Sequence, residues 1–455
     1  MSELEAKPAG GKPRAFGRGT AVAYLIAFVA PLITAGLYYQ ATRSAGVDIG
    51  FPLDDSWIHA QYSRTLVEGR PFEYVPGERS IGSTSVLFDV LWAGATLLTG
   101  EYVGTIHVVN TLLTCGVGLL VVALLLRFNL PPLTAGLGAG LIVSSYPFPW
   151  SSLSGMETAL ATCLTMAAVL AHVTWGGRRG MRMLVPPVLM ALAAMARPEN
   201  LVLFPLSELD RLVLRWRRGT KAPRKRAGMR LAVRLAAFGL TLLPYLALNY
   251  SVHGAPVPNT YAAKIGRLGL AADVQAEGAR SLGLRLKATW DCIHSACEFV
   301  AGVDNPILLA LAGVGLLLLF LPRGRRGVAG DSFLPWMVFV GGSGATGLVT
   351  LGIFFPGQSQ RYLIQWIPLI LIYGVVGMHL VARVASLMFT RAARTAYATV
   401  IGLIVVGNVA LLGAWYPEQV WDYVTSVKNI NEMQVALGRW VNENTPQQAV
   451  VATND

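Results

Sequence analysis

Asp54 and Asp55 are the residues of this chain best suited to chemistry, two adjacent carboxylates just beyond its first membrane-length apolar run. They head a polar segment, Phe51 to Ser85, that also carries Trp57, His59, Tyr62, Arg64, Tyr74 and Arg79. Two neighbouring acids are ordinarily a solvated turn, but a carboxylate is also the natural acceptor for the proton of an attacking hydroxyl. Their company favours chemistry. Glu157, Arg197, Glu199, Asn259, Tyr261, Lys264, and Arg361 with Tyr362 are further polar residues set at the edges of apolar runs. Carboxylates with several cations fit a reaction whose leaving group is a phosphate, the base activating a hydroxyl while cations hold the departing anion.

The elements that must position these side chains are membrane spans. Hydrophobic residues make up 54% of the 455 residues and charged ones 14%, against about a quarter charged in soluble domains. Runs such as Ala21–Gln40, Val103–Leu126 and Ala396–Trp415 have membrane-crossing length. Backbone in lipid must satisfy its own hydrogen bonds, so the expected fold is all-α, a polytopic helical membrane protein. The net charge of +12 is concentrated between apolar runs, with ten Lys or Arg from Arg211 to Arg234 and clusters at Arg178–Arg182, Arg323–Arg326 and Arg391–Arg394. Such loops mark the cytoplasmic side and touch anionic membrane lipids. No motif that reads nucleic acid accompanies them, and no nucleic-acid partner is expected.

Placing the basic clusters inside predicts a cytoplasmic tail over 1–20, about 11 spans within 21–415, and an extracytoplasmic segment 416–455 that reads as the start of a soluble domain. Two large outer segments result, 41–102 with eight acids against four bases, and 251–305. Pro132–Trp150 is read as one span. Thr84–Leu98 is apolar enough to cross, but crossing would invert every later basic loop, so it is placed as a juxtamembrane helix at the outer interface. Met183–Met195 and Leu201–Leu214 are each too short to span at 1.5 Å per residue. A hairpin of two short helices puts Arg197-Pro198-Glu199 at its outward tip, where the charges form either an internal clamp at a kink or a substrate-binding pair.

Cys292 and Cys297 share an outer loop where a disulfide is chemically possible, yet five residues apart on a helix they face poorly matched directions. The six histidines form no ligand-spaced pair, and adjacent acids on an extended strand point to opposite sides. No cofactor is required on this reading; a divalent metal held by Asp54 and Asp55 is the alternative.

On this threading the named polar residues converge on the outer face. A sugar on a polyprenyl phosphate suits such a site, because the lipid tail supplies anchorage and no nucleotide pocket is needed. Consistently, the chain has no GxxxxGK[ST] loop and no dinucleotide fingerprint. The strings Pro52-Leu53-Asp54-Asp55-Ser56-Trp57-Ile58, Tyr62-Ser63-Arg64-Thr65-Leu66, Tyr74-Val75-Pro76-Gly77-Glu78 and Gly82-Ser83-Thr84-Ser85 resemble the first outer loop of GT-C superfamily glycosyltransferases. Ser154-Gly155-Met156-Glu157-Thr158, Ala196-Arg197-Pro198-Glu199, Pro258-Asn259-Thr260-Tyr261-Ala262-Ala263-Lys264 and Arg361-Tyr362 resemble later motifs of the branch that contains the mycobacterial terminal arabinofuranosyltransferase.

The resemblance implies an inverting glycosyltransferase in the inner (plasma) membrane, with its site on the extracytoplasmic side and a role in cell-envelope or surface glycan assembly. It implies a catalytic base at Asp54 or Asp55, with Asp54 favoured, and donor-phosphate binding by Arg361, Lys264 and Arg197. His59, Arg64, Glu157, Glu199, Asn259, Tyr261 and Tyr362 are the residues expected to bind or orient substrates, and the acid beside the base is expected to orient the acceptor or pair with Arg64 or His59. The partners implied are a polyprenyl-phosphate-linked sugar donor and a glycan, lipid or protein acceptor. A transporter or flippase of lipid-linked sugars would show the same broken helices with charges. It has no evident use for a hydrophilic outer segment headed by a carboxylate pair.

Overall fold

The computed structural model describes residues 17–75, 77–176, 180–218, 224–256, 290, 294, 305–317, 332–349, 359–446 and 449. Asn259, Tyr261, Lys264, Cys292 and Cys297 lie outside the described residues. Chain order runs α1 (Arg18–Ser44), α2 (Asp55–Val67), a hairpin of β1 (Glu73–Val75) and β2 (Glu78–Arg79), α3 (Val86–Thr99) and α4 (Val103–Arg127). It continues through α5 (Pro132–Ser144), α6 (Pro147–Leu153), α7 (Thr158–Trp175), α8 (Val185–Ala196), α9 (Leu203–Arg218) and α10 (Arg224–His253). Then come α11 (Pro306–Leu317), α12 (Leu334–Val349), α13 (Ile367–Met388), α14 (Ala393–Ile430) and α15 (Ala436–Asn444).

The protein is mostly helical, and among the described residues six helical stretches are long and apolar enough to cross a membrane: α1, α4, α7, most of α10, α13 with its preceding turn, and the continuous run of α14 and α15. That is the build of a helical membrane protein. α13 is central, with 78% of its apolar window buried against 22% for α1. It meets α11 backbone to backbone. A Cβ on Gly374 or Gly377 would collide with a carbonyl of α11, and one on Gly315 with the carbonyl of Tyr373, so small residues permit the close approach that binds helices where lipid offers no hydrophobic drive. The peripheral helices turn large apolar side chains outward, among them Leu25, Ile33, Leu240, Leu403 and Val406, which lipid accepts without penalty.

The polar segment after α1 folds as a cap. Its two strands are antiparallel with Glu73 opposite Arg79, and the chain leaving them is tied down by Ile81 N–H donating to His253 Nε2 at 2.9 Å and Gly82 N–H donating to the Tyr62 hydroxyl at 2.7 Å. The stretch Thr84–Leu98 becomes α3, capped by the Ser85 hydroxyl accepting from Phe88 N–H. One face of α3, Val86, Asp89, Ala93 and Thr96, is buried in protein, while Val90, Leu91, Leu97 and Leu98 point outward. Both faces are apolar apart from Asp89 and Thr96, as for a helix between protein and lipid.

Two sequence readings are corrected. Pro132–Trp150 is not one helix: Ser145 is extended, and Pro147 and Pro149 start α6 afresh, because neither can donate to the ladder of α5. The helix read as Ala396–Trp415 instead runs from Ala393 to Ile430, through Pro417, and continues by a π turn (Asn431–Val435) into α15. The extension is held by Val420, Tyr423, Val424 and Val427, one helical face packed on Ala35 and Tyr38 of α1 and on Leu153. The expected pair of short helices is present as α8 and α9, with Arg197 extended and a 3-10 turn over Pro198–Val202 between them.

Candidate active site

Asp54 and Asp55 do not lie in a strand. Asp54 is the N-cap of α2, its carboxylate accepting from Asp55 N–H at 2.8 Å, and Asp55 is the first helical residue. A helix N-terminus suits negative charge, so the local fold holds both carboxylates at one rim. Asp54 is exposed. Asp55 is ion-paired: its Oδ2 accepts from Arg361 Nη2 at 2.6 Å, not from Arg64 or His59. Arg64 instead bonds Glu68 one turn along α2 at 2.8 Å.

Arg361 comes from a 3-10 turn, Ser359–Tyr362, that leads into α13. Its guanidinium lies over the Tyr362 ring, 5.1 Å from the centroid, as does that of Arg197 at 4.8 Å. Arg197 also donates to the Arg361 carbonyl at 3.3 Å. Below this point the network is buried. Arg197 Nε is 3.1 Å from Glu157 Oε1 and 3.3 Å from Glu199 Oε1. Glu157 Oε2 reaches His59 Nε2 at 3.2 Å, and His59 Nδ1 reaches Asp89 Oδ1 at 2.7 Å. Gln365 donates to Glu199 at 3.1 Å, and Asn200 joins Gln365 to Thr165 of α7.

Each position has a local cause. Gly155 adopts φ +70°, and a Cβ there would strike the Phe51 ring; this turn delivers Glu157 to the head of α7. The Ser56 hydroxyl donates to the Ser154 carbonyl at 2.6 Å, fastening α2 to the same turn. Pro198 ends α8 and leaves Arg197 extended, so its side chain reaches back to Glu157 while Glu199 follows on the 3-10 turn.

His59 is the electrostatic hinge of the buried chain. Burial alone would lower its pKa, yet Asp89 and Glu157 raise it from the ordinary 6.5 to about 10. An imidazolium donates from both nitrogens and so satisfies both carboxylates. Burial raises the pKa of Asp89 against the pull of His59, so the pair keeps a proton across the neutral range. Burial opposes ionisation of Glu157 too, but Arg197 and His59 hold it below the usual carboxylate range.

Above the network lies a cleft of about 600 Å³ lined by Asp54, Asp55, Trp57, Ile58, Arg64 and Tyr74 on one side and by residues of the α14–α15 junction and α15 on the other. The structure therefore separates the sequence-derived residues into two groups. Asp54, Asp55 and Arg64 border open space, with Arg361 and Tyr362 behind Asp55. His59, Glu157, Arg197 and Glu199 are at most 7% exposed and bonded to one another; for Arg197 and Glu199 the geometry is that of the internal clamp. Asp89 and Gln365 were not singled out in the sequence, although each has a signal: a lone acid in an apolar helix and an amide at the head of an apolar span. Among the described residues no group of three or more His, Cys, Asp or Glu is arranged to hold a metal ion.

Chemically, the rim offers an exposed carboxylate, a second carboxylate on an exchangeable ion pair, and a cation. The Arg361 Nε atom is buried and has no hydrogen-bond partner among the described residues. No protein-family model matches the chain, and no curated protein matches it.

Proposed function

We propose that this protein is an inverting glycosyltransferase of the GT-C type, with about 11 spans, acting on the extracytoplasmic face of the plasma (inner) membrane. It moves a sugar from a polyprenyl-phosphate donor to an acceptor hydroxyl in cell-envelope or surface glycan assembly. The observation that carries this reading is the rim of the cleft: Asp54 exposed at a helix N-terminus, with Asp55 and Arg361 paired 2.6 Å apart beside it, on a body built of apolar helices.

In this mechanism Asp54 takes the acceptor hydroxyl proton as the oxygen attacks the anomeric carbon. The bond from that carbon to the phosphate oxygen breaks, its electron pair leaves with the polyprenyl phosphate, and Arg361 holds the departing charge. Arg grips phosphate in a bidentate fork, and binding phosphate releases Asp55 from Arg361 to orient the acceptor. Lys264 remains a second phosphate cation, with Asn259 and Tyr261 near it in sequence. Arg197, clamped between carboxylates, acts by holding Tyr362 and the Arg361 backbone in place. Asp54→Asn keeps the side-chain shape and removes the proton acceptor. Turnover with lipid-linked donor falls about 10²–10⁴-fold while donor affinity is kept. Near-normal transfer by that variant rules Asp54 out as the base, and transfer from a soluble nucleotide-sugar without lipid-linked donor rules out the donor class.

A further inference from the structure

The wall of the cleft opposite Asp54 belongs to the segment 416–455, which the sequence presents as the start of a soluble domain. Gln434, Val435, Gly438, Arg439 and Asn442 line it, and their spacing of three or four residues puts them on one helical face. The face is fixed in place: one turn before it, the Asn431 amide donates to the Asp48 carbonyl at 2.9 Å, and the helix leading to it packs on α1 through Tyr423 and Val427. Gly438 leaves the centre of the face open, for a Cβ there would meet nothing within 4 Å.

We propose that this face of α15 is the acceptor-binding wall and that its ligand is a carbohydrate chain, an inference that rests on the sugar-transfer reading of the site. The side chains that meet across the cleft are carboxylates, amides, the guanidinium groups of Arg64 and Arg439, and two aromatic rings, Trp57 and Tyr74. Planar polar groups present paired donors and acceptors that match neighbouring hydroxyls, and the rings offer flat apolar faces with polar tips. A volume of about 600 Å³ lies within the range of small-ligand sites and admits the end of a glycan. The aliphatic side chains are few, Ile58 and Val435, too few to line a groove for an isoprenoid tail. The donor lipid accordingly approaches from the Arg361 side and the acceptor from the α15 side, meeting at Asp54.

The test uses the full chain in lipid nanodiscs. The probe is the pool of neutral oligosaccharides released from the cell envelope of the source organism by mild acid. In Asn442→Cys the pool slows labelling by a small thiol reagent, whereas labelling of Leu437→Cys, an exposed position off the lining face, is unchanged. With lipid-linked donor, Asn442→Ala raises the acceptor KM about fivefold, the scale of one lost hydrogen bond, and leaves the donor KM alone. Gly438→Trp fills the cleft and abolishes protection; Leu437→Ala does neither. Failure of the pool to protect Asn442→Cys, or protection by polypeptide alone, overturns the proposal. Protection without any transfer leaves the glycan site standing and removes the transferase reading, so the two failures are distinct.

Discussion

Replacing Arg197 with Met is the sharpest test of how the site is held together. Its guanidinium sits between Glu157 and Glu199 at 3.1 and 3.3 Å, with 4% of the side chain exposed, so solvent screens little of the interaction. Met matches the stem but leaves two buried carboxylates facing each other without their cation. Breaking one side of a buried pair costs about 3–5 kcal/mol, and losing the cation over the Tyr362 ring adds up to about 2 kcal/mol, though the two contributions overlap. The expected loss is about 3–5 kcal/mol, read from reversible unfolding of the purified protein in mixed micelles. Glu157→Gln in the same chain recovers part of it, because the double variant removes one of the two buried carboxylates that lost the guanidinium. An unchanged unfolding midpoint in Arg197→Met, with a raised donor KM, refutes the reasoning and makes Arg197 a phosphate ligand instead.

The charge on His59 makes stability pH-dependent with a definite sign. Its pKa is raised from 6.5 to about 10, so the protonated form contributes fully below about 6.5, fades as the pH rises and is lost above about 10; the wild-type midpoint falls across that window, and that of His59→Gln is lower but flat. Topology is checked by cysteine labelling from either side of the membrane: Ser44→Cys is reached from outside and Arg217→Cys from inside, and finding both on one side breaks the arrangement of spans.

Much of the apolar framework was legible because lipid imposes one rule, that backbone must be helical wherever it is apolar and long. What composition leaves unsaid is where a helix ends. Pro147 and Pro149 broke a run whose mean polarity never changed. The end of α14 was hidden for the opposite reason: past Trp415 the residues turn polar, yet Val420, Tyr423, Val424 and Val427 keep a helical stripe that was there to be read. No local signal announces that Gln434, Arg439 and Asn442 face Asp54, since that depends on a tertiary contact made by Asn431 with a backbone carbonyl.

The acids of the site carry the same functional group, and burial sorts them. Asp89, Glu157 and Glu199 lie at 2%, 1% and 7% exposure, where an ionised carboxylate persists only with a partner. His59 and Arg197 are those partners, two cations for three anions. Seen this way the buried acids are constraints: each fixes a cation, and the cations fix Tyr362 and the turn that carries Arg361. Asp54 has no such duty beyond capping α2, and Asp55, with 40% of its side chain exposed, pairs with Arg361 at the edge of the cleft. The rim keeps the freedom to exchange protons and partners because the interior has none, which is why substitution at the rim should change turnover and substitution in the chain below should change stability.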